Sequence, residues 1–263
     1  MIDIGVNFHS SQLKGLATEL LSRAAAAGVT HIVATGTSLR ASELALEFAR
    51  THERVWATAG MHPHDASHWT EQSATQFAPL WADDHVVAIG ECGLDYNRMF
   101  SPADAQRRAF QAQAAVAVRL GKPLFLHCRD AFDDFQAILR DARADGAHGV
   151  VHCFTGGAAE AEACLALGFD LGLPGWVTDA ARGADLRDAL RVIPLDRLHL
   201  ETDAPYLRPK NAGKTRPYNE PALLPFVARA VAELKGVDVA EVAAHATRNG
   251  RRMFGLPQPA GGA

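Results

Sequence analysis

Short apolar runs alternate with amphipathic stretches along this chain. Residues 2–7 place Ile2, Ile4 and Val6 on one face and Asp3, Gly5 and Asn7 on the other, which is the two-residue period of a strand. Further runs fall at 31–34, 55–59, 86–89, 124–126, 149–151, 169–172 and 198–200. They are short and bounded by turn residues, as in strands covered on both faces of a parallel sheet. The segments between them have helical spacing. Ser10 or Ser11 is placed to cap a helix that carries Leu13, Leu16 and Leu20 and ends at Gly28. Ser38 caps a second with Leu44, Ala45 and Phe48 on one stripe, and Ser101-Pro102 opens a third that Gly121 closes. Proline in the first turn and glycine past the last are in their favoured places.

Eight strands alternating with helices predict an α/β fold, a (β/α)8 TIM-type barrel. A doubly wound open sheet is the alternative, but no glycine-rich dinucleotide fingerprint follows the first strand. A length of 263 residues suits one barrel domain over 1–263. The Gly/Pro-rich tail after about residue 255 is expected to be loose.

Chemistry collects where the apolar runs end. The fourth run leads through Gly90 into Glu91, Cys92 and Gly93. A carboxylate at the end of a buried strand is costly unless it is paired or holds a cation. Alone, such a glutamate would as readily cap a helix or close an ion pair. The arrangement recurs, however, at His62 and His64, at His127, at His152 and at Asp203. Successive members are spaced by one strand–helix unit, or two before Asp203, which brings all of them to one rim of a barrel, the face where barrel enzymes react.

His and carboxylate donors on an open rim suit a divalent hydrolytic metal, Mg²⁺, Mn²⁺ or Zn²⁺. Glu91, His127 and His152 are the expected ligands, leaving positions free for water and substrate. Asp203 is expected to take a proton or orient the nucleophile. His62 and His64, taken to share one strand face, are expected to reach a phosphate or leaving group. His9, just past the first strand, is close enough to approach the rim. His199 and Glu201 share the parity of Asp203 and are expected deeper in the barrel, behind the ligands. Cys92, Cys128 and Cys153 each follow a ligand candidate, so strand alternation would aim their thiols at the helix layer as packing.

Charge is nearly balanced, with 26 basic and 30 acidic residues and a net −4. No global field draws a polyanion. A local patch exists instead: Arg208, Lys210, Lys214 and Arg216 lie between Pro205 and Asn219 with no acid among them, interleaved with Tyr206 and Tyr218. Arg98 and Arg129 follow two ligand strands. Cations and aromatic rings beside a metal rim suit a phosphodiester strand with stackable bases. The four cysteines form no CxxC pair, and the chain opens with no basic-then-apolar leader, so free thiols and a cytoplasmic location are expected. No run is long enough to span a bilayer, and a monomer is expected.

The motifs Gly60-Met61-His62-Pro63-His64, Gly90-Glu91-Cys92-Gly93-Leu94-Asp95, His127-Cys128-Arg129, His152-Cys153-Phe154-Thr155-Gly156, Glu201-Thr202-Asp203-Ala204-Pro205, Asn219-Glu220-Pro221 and Thr247-Arg248-Asn249 together resemble the TatD family of metal-dependent nucleases, amidohydrolase-like barrels. The resemblance runs the whole length and is highly specific as a set. It implies a Mg²⁺-dependent 3′–5′ exonuclease acting mainly on single-stranded DNA, with RNA a further substrate. It also implies that Glu91, His127 and His152 bind the metal and that Asp203 is catalytic; from the basic, aromatic patch, Arg129, Tyr206, Arg208 and Lys210 are expected to meet substrate. Most of that family opens with a His-x-His pair on strand one, where this chain has Gly5 and Asn7, as in the TatD subgroup. One tight metal is therefore expected. The rival readings are a metal-dependent amidase, lactonase or aminoacyl-ester hydrolase on the same barrel, and a barrel kept only for binding; the basic, aromatic loop favours the nuclease.

Overall fold

The computed structural model describes residues 1–213 and 216–257. Its strands are β1 (Ile2–Val6), β2 (His31–Ala34), β3 (Val55–Ala59), β4 (Val86–Asp95), β5 (Leu124–Arg129), β6 (Gly149–Val151), β7 (Asp170–Leu173) and β8 (Leu198–Leu200). All pair in parallel in the order of the sequence. A parallel bridge from Val6 to Ala204, with the Asn7 amide donating to the Ala204 carbonyl at 2.7 Å, closes the ring. The barrel reading holds and the open sheet is excluded.

The outer layer is α1 (Ala17–Ala26), α2 (Leu39–Thr51), α3 (Ser73–Trp81), α4 (Ala103–Leu120), α5 (Phe132–Ala144), α6 (Ala158–Ala166), α7 (Ala184–Ala189), α8 (Leu224–Lys235) and α9 (Val239–Phe254). Two buried clusters divide the apolar side chains. The larger lies between sheet and helices. The smaller fills the barrel with Ile2, Ile4, Val33, Ala88, Phe125 and Val150, and Phe254 and Leu256 from the end of α9 join it as a floor.

Three expectations change. Ser10 caps only a single 3₁₀ turn, Ser11–Leu13, and α1 begins after the Lys14-Gly15 turn. The fourth strand does not end at Glu91 but runs on to Asp95. Gly90 and Gly93, at φ 138° and 137°, allow this, because a Cβ on either would lie about 2 Å from a β5 carbonyl oxygen. The tail is anchored further than expected, since Leu256 is buried in the floor; residues 258–263 lie outside the described residues.

Several motif residues act as ties. The Asp3 carboxylate, fully buried, accepts from the Thr202 amide at 2.9 Å and its hydroxyl at 2.6 Å, joining β1 to the segment after β8. The Asn249 side-chain amide donates to the Leu195 and Leu198 carbonyls, each at 2.7 Å, pinning α9 across β8. Asn219 likewise holds the carbonyls of Thr202 and Tyr206. Buried backbone groups need such partners wherever the ladder ends.

Candidate metal centre

Glu91 is the hub of the C-terminal rim. One carboxylate oxygen, Oε1, lies 2.8 Å from His152 Nε2, 3.1 Å from His127 Nδ1 and 3.3 Å from His62 Nε2. Three imidazoles thus converge on one buried oxygen. Burial pushes the Glu91 carboxyl up, but the charge of His152 and the hydrogen bonds from His127 and His152 hold it well below its ordinary value. His62 behaves differently from its neighbours. Burial lowers it to about 4 against the pull of Glu91, which leaves its ring neutral, the ligating form of imidazole.

A second row of carboxylates orients these rings. Asp95 Oδ2 lies 2.9 Å from His64 Nε2 and 3.2 Å from His127 Nε2, so His127 bridges Glu91 and Asp95. Burial raises the Asp95 carboxyl, and the bonds from His127 and His64 more than reverse this. Glu201, fully buried, meets His152 Nδ1 at 3.1 Å and accepts from the Cys153 amide. A ring held by a carboxylate on its far nitrogen has its tautomer and direction fixed. The part played by Asp95 escaped the sequence reading, although Glu91, Gly93 and Asp95 share one strand face by alternation.

Asp203 takes the left-handed conformation at φ 53°, which aspartate tolerates better than most residues. Its Oδ1 accepts from the Asn7 side-chain amide at 2.8 Å. Burial raises its carboxyl to about 7, opposed mainly by the His152 charge. Asn7 therefore serves Asp203, and Gly5 makes room: a Cβ there would lie 2.9 Å from Glu201 Oε2. The place that a first-strand side chain would occupy is filled by the Glu201 carboxylate.

These groups open onto a cavity of about 460 Å³, whose wall includes Asn7, His9, Arg98, Phe100, Cys153 and Tyr206 beside the clustered His, Glu91 and Asp203. His62 and His64 reach it from a turn, not a strand face: β3 stops at Ala59, and His62 caps the 3₁₀ turn Pro63–His68, its Nδ1 accepting from the His64 amide at 3.1 Å. Cys153 is a correction. It lies past the end of β6 at φ 47°, where strand alternation no longer applies, and its thiol lines the cavity 3.9 Å from Asp203 Oδ2. Cys92 is buried in the layer between sheet and helices, and Cys128 packs against it, as expected. His199 is a second correction. Two residues deeper on β8 than Glu201, it meets Asp170 Oδ2 at 3.0 Å near the floor, not the ligands.

Of the residues expected to meet substrate, Tyr206 and Arg98 line the cavity, and Arg129, Arg208, Lys210 and Arg216 do not. Arg129 lies over the Trp176 ring, 5.2 Å from its centroid. Arg208 donates within its own loop, to the Gly213 carbonyl at 2.7 Å and that of Tyr218 at 3.1 Å. Lys210 Nζ is 3.9 Å from Asp179, and Arg216 is 3.3 Å from Glu220. Lys214 lies outside the described residues.

The donor set fits a divalent ion. His62, Glu91 and His127 each offer a ligand atom within 4.8 Å of the others, and His152 adds a nitrogen on the same Glu91 oxygen. Borderline nitrogen donors with a hard carboxylate, open to a cavity, are the makings of a hydrolytic site. The arrangement draws His62 into the candidate ligand group beside the set read from sequence.

The chain is similar to known proteins along nearly its whole length. The family described as TatD related DNase matches residues 2–255. A protein of Cronobacter sakazakii named 3′–5′ ssDNA/RNA exonuclease TatD is 49% identical over 258 residues, 97% of each chain. One of the same name from a Rahnella species is 48% identical over 260 residues, covering 97% of this chain and 98% of the relative. A solved TatD homologue of Escherichia coli K12 superposes with a TM-score of 0.89 at 29% identity, over 98% of both chains.

Proposed function

Because the chain belongs to the TatD related DNase family, we propose that it is a metal-dependent exonuclease that removes nucleotides from the 3′ end of single-stranded DNA, and of RNA, with Mg²⁺ as its working ion. The observation that carries this reading is the convergence of three imidazoles on Glu91 beneath an open cavity that also holds Asp203. His62, Glu91, His127 and His152 would hold the ion. When bound, it would polarise a phosphodiester and lower the pKa of a water.

The chain's own groups do the rest. Asp95 and Glu201 fix the rings of His127 and His152, so that the donors need not reorganise. Asp203, its carboxyl raised by burial to about 7, is poised to accept a proton from the attacking water near neutral pH. The Asn7 amide keeps that carboxylate aimed into the cavity. His64 stands on the cavity wall, held by Asp95, and is placed to donate a hydrogen bond to a phosphate or leaving oxygen. All four cysteines are free, which suits the reducing conditions of the cytoplasm.

The test is incubation of metal-stripped protein with 3′-end-labelled single-stranded DNA, double-stranded DNA and single-stranded RNA, across Mg²⁺, Mn²⁺ and Zn²⁺. The expected result is stepwise release of the 3′ label from single strands, strongest with Mg²⁺. Release only of internal fragments, or hydrolysis confined to small esters and amides, would replace this reading with one of its rivals.

A further inference from the structure

Large apolar side chains standing out in solvent are few on this protein. Among the described residues they are Met99, Phe100, Leu120, Tyr206 and Val239. Three of the five sit on two loops, the one after β4 and the one after β8. Phe100 is 66% exposed and Tyr206 48% exposed, and both line the cavity over the metal centre. In a closed ring of eight strands in sequence order, the fourth and eighth are diametrically opposed. The two loops therefore leave the barrel from opposite sides of the mouth, and each brings a ring to the cavity wall.

The exposure of Phe100 is not a loose loop turning outward. On one flank the Asp95 carboxylate accepts from the amides of Asn97 at 3.0 Å and Arg98 at 2.8 Å. On the other, the buried Ser101 hydroxyl donates to the His64 carbonyl at 2.8 Å and accepts from the Ser67 amide at 3.0 Å. Between these anchors Met99 is held at φ 50°, and the Phe100 ring meets His64 edge to face at 4.8 Å. The same Asp95 that fixes His64 and His127 thus fixes the loop that presents Phe100. A ring held out in water at such cost to apolar surface is pre-organised for a partner.

We propose that Phe100 and Tyr206 form a two-sided stacking clamp for the bases at the 3′ end of a single strand, with Arg98 beside it for the backbone. This rests on the nuclease reading and specifies how that site selects its substrate. Every base offers a flat face, so such a clamp tolerates any sequence. It rejects duplex ends because a paired base has its faces covered by its neighbours and must first be unstacked. The occupant is a base and not a protein surface: the rings flank a concave cavity, directly over the cluster that would take the phosphate. The clamp also accounts for a single-strand preference without the cations of the 208–216 loop, several of which are engaged with their own loop or with neighbouring acids.

The experiment uses the Asp203→Asn protein with Mg²⁺ and two oligonucleotides, one ordinary and one lacking its 3′-terminal base. The ordinary strand should bind about 5- to 150-fold more tightly, the range expected of base–aromatic stacking. Phe100→Ala and Tyr206→Ala should each remove most of that difference while leaving the baseless strand's affinity unchanged, and Phe100→Trp should restore it. With 2-aminopurine as the terminal base, binding should quench its fluorescence, and Phe100→Ala should reduce the quench. Equal affinity for the two strands, or equal weakening of both by Phe100→Ala, overturns the clamp. Protein with its native Asp203 that hydrolyses no oligonucleotide under any metal removes the nuclease reading itself; intact hydrolysis with unchanged discrimination in Phe100→Ala removes the clamp alone.

Discussion

The barrel buries a polar cluster at each end, and the two are compensated in different ways. At the floor, Asp170 opens β7 and is met by His199 at 3.0 Å, by Arg252 at 2.8 Å and by Arg197. At the mouth, Glu91 is met by His62, His127 and His152. Both carboxylates are buried. Arginine is a permanent cation with no lone pair to offer, so Arg197 and Arg252 can compensate Asp170 but cannot coordinate an ion. Imidazole can give up its proton and coordinate, so the mouth cluster can exchange its internal compensation for a metal ion. The lesson is that a buried carboxylate speaks of function only through the identity of its partners.

The comparison breaks most sharply on Glu91→Gln. Loss of the hub should abolish metal binding by calorimetry and lower kcat/KM by more than about 10³-fold, equivalent to roughly 4 kcal/mol of barrier. The chelator-treated protein should still unfold cooperatively, because the two apolar clusters do not depend on the rim. A Glu91→Gln chain that no longer folds would make the mouth as structural as the floor.

Asp203→Asn should lower kcat by about 10²- to 10⁴-fold, the range of a lost proton-transfer group, with the metal retained at close to one tight equivalent. If the ion is lost as completely as from Glu91→Gln, Asp203 is a primary ligand instead.

Asp170→Asn inverts the pattern. It takes the acceptor away from the fully buried His199 and the partly buried Arg197, while Arg252 is exposed, and should cost about 1–3 kcal/mol of stability in denaturant titration while kcat/KM is unchanged. Burial raises the Asp170 carboxyl, and the bonds and charges of His199 and Arg197 bring it below its ordinary value. A folded-state pKa held low contributes stability that is complete above about pH 4 and is lost as pH falls through the folded value. The difference between wild type and Asp170→Asn should therefore shrink in acid.

The smallest expected effect is at Asn7. Its amide lowers the Asp203 carboxyl, which burial has raised to about 7. Asn7→Ala should move the rising limb of the kcat/KM profile to higher pH by about one unit or less, with metal stoichiometry unchanged. A shift to lower pH would mean that Asn7 does not act through the Asp203 carboxylate.

The sequence by itself pointed to eight parallel strands and to the ring of donors, and left the open sheet for the structure to exclude. Short apolar runs alternating with helical spacing read as strands covered on both faces, and ligand-type residues in phase with their ends share a rim, because each strand–helix unit returns the chain to the same end. It did not determine what lies past those ends. His62 and His64 sit on a turn, Cys153 turns into the cavity at positive φ, and the cations around residue 210 meet loop carbonyls and neighbouring acids; alternation holds only while the backbone is extended. Nor could spacing show that Asp95 and Glu201 hold the far nitrogens of His127 and His152, since those contacts depend on the register of one strand end against another and on the turn of the chain past β6 and β8. Tertiary structure alone decided that Gly5 is small because the Glu201 carboxylate fills the space beside it, and that Phe100 is held out in water by hydrogen bonds on both of its flanks.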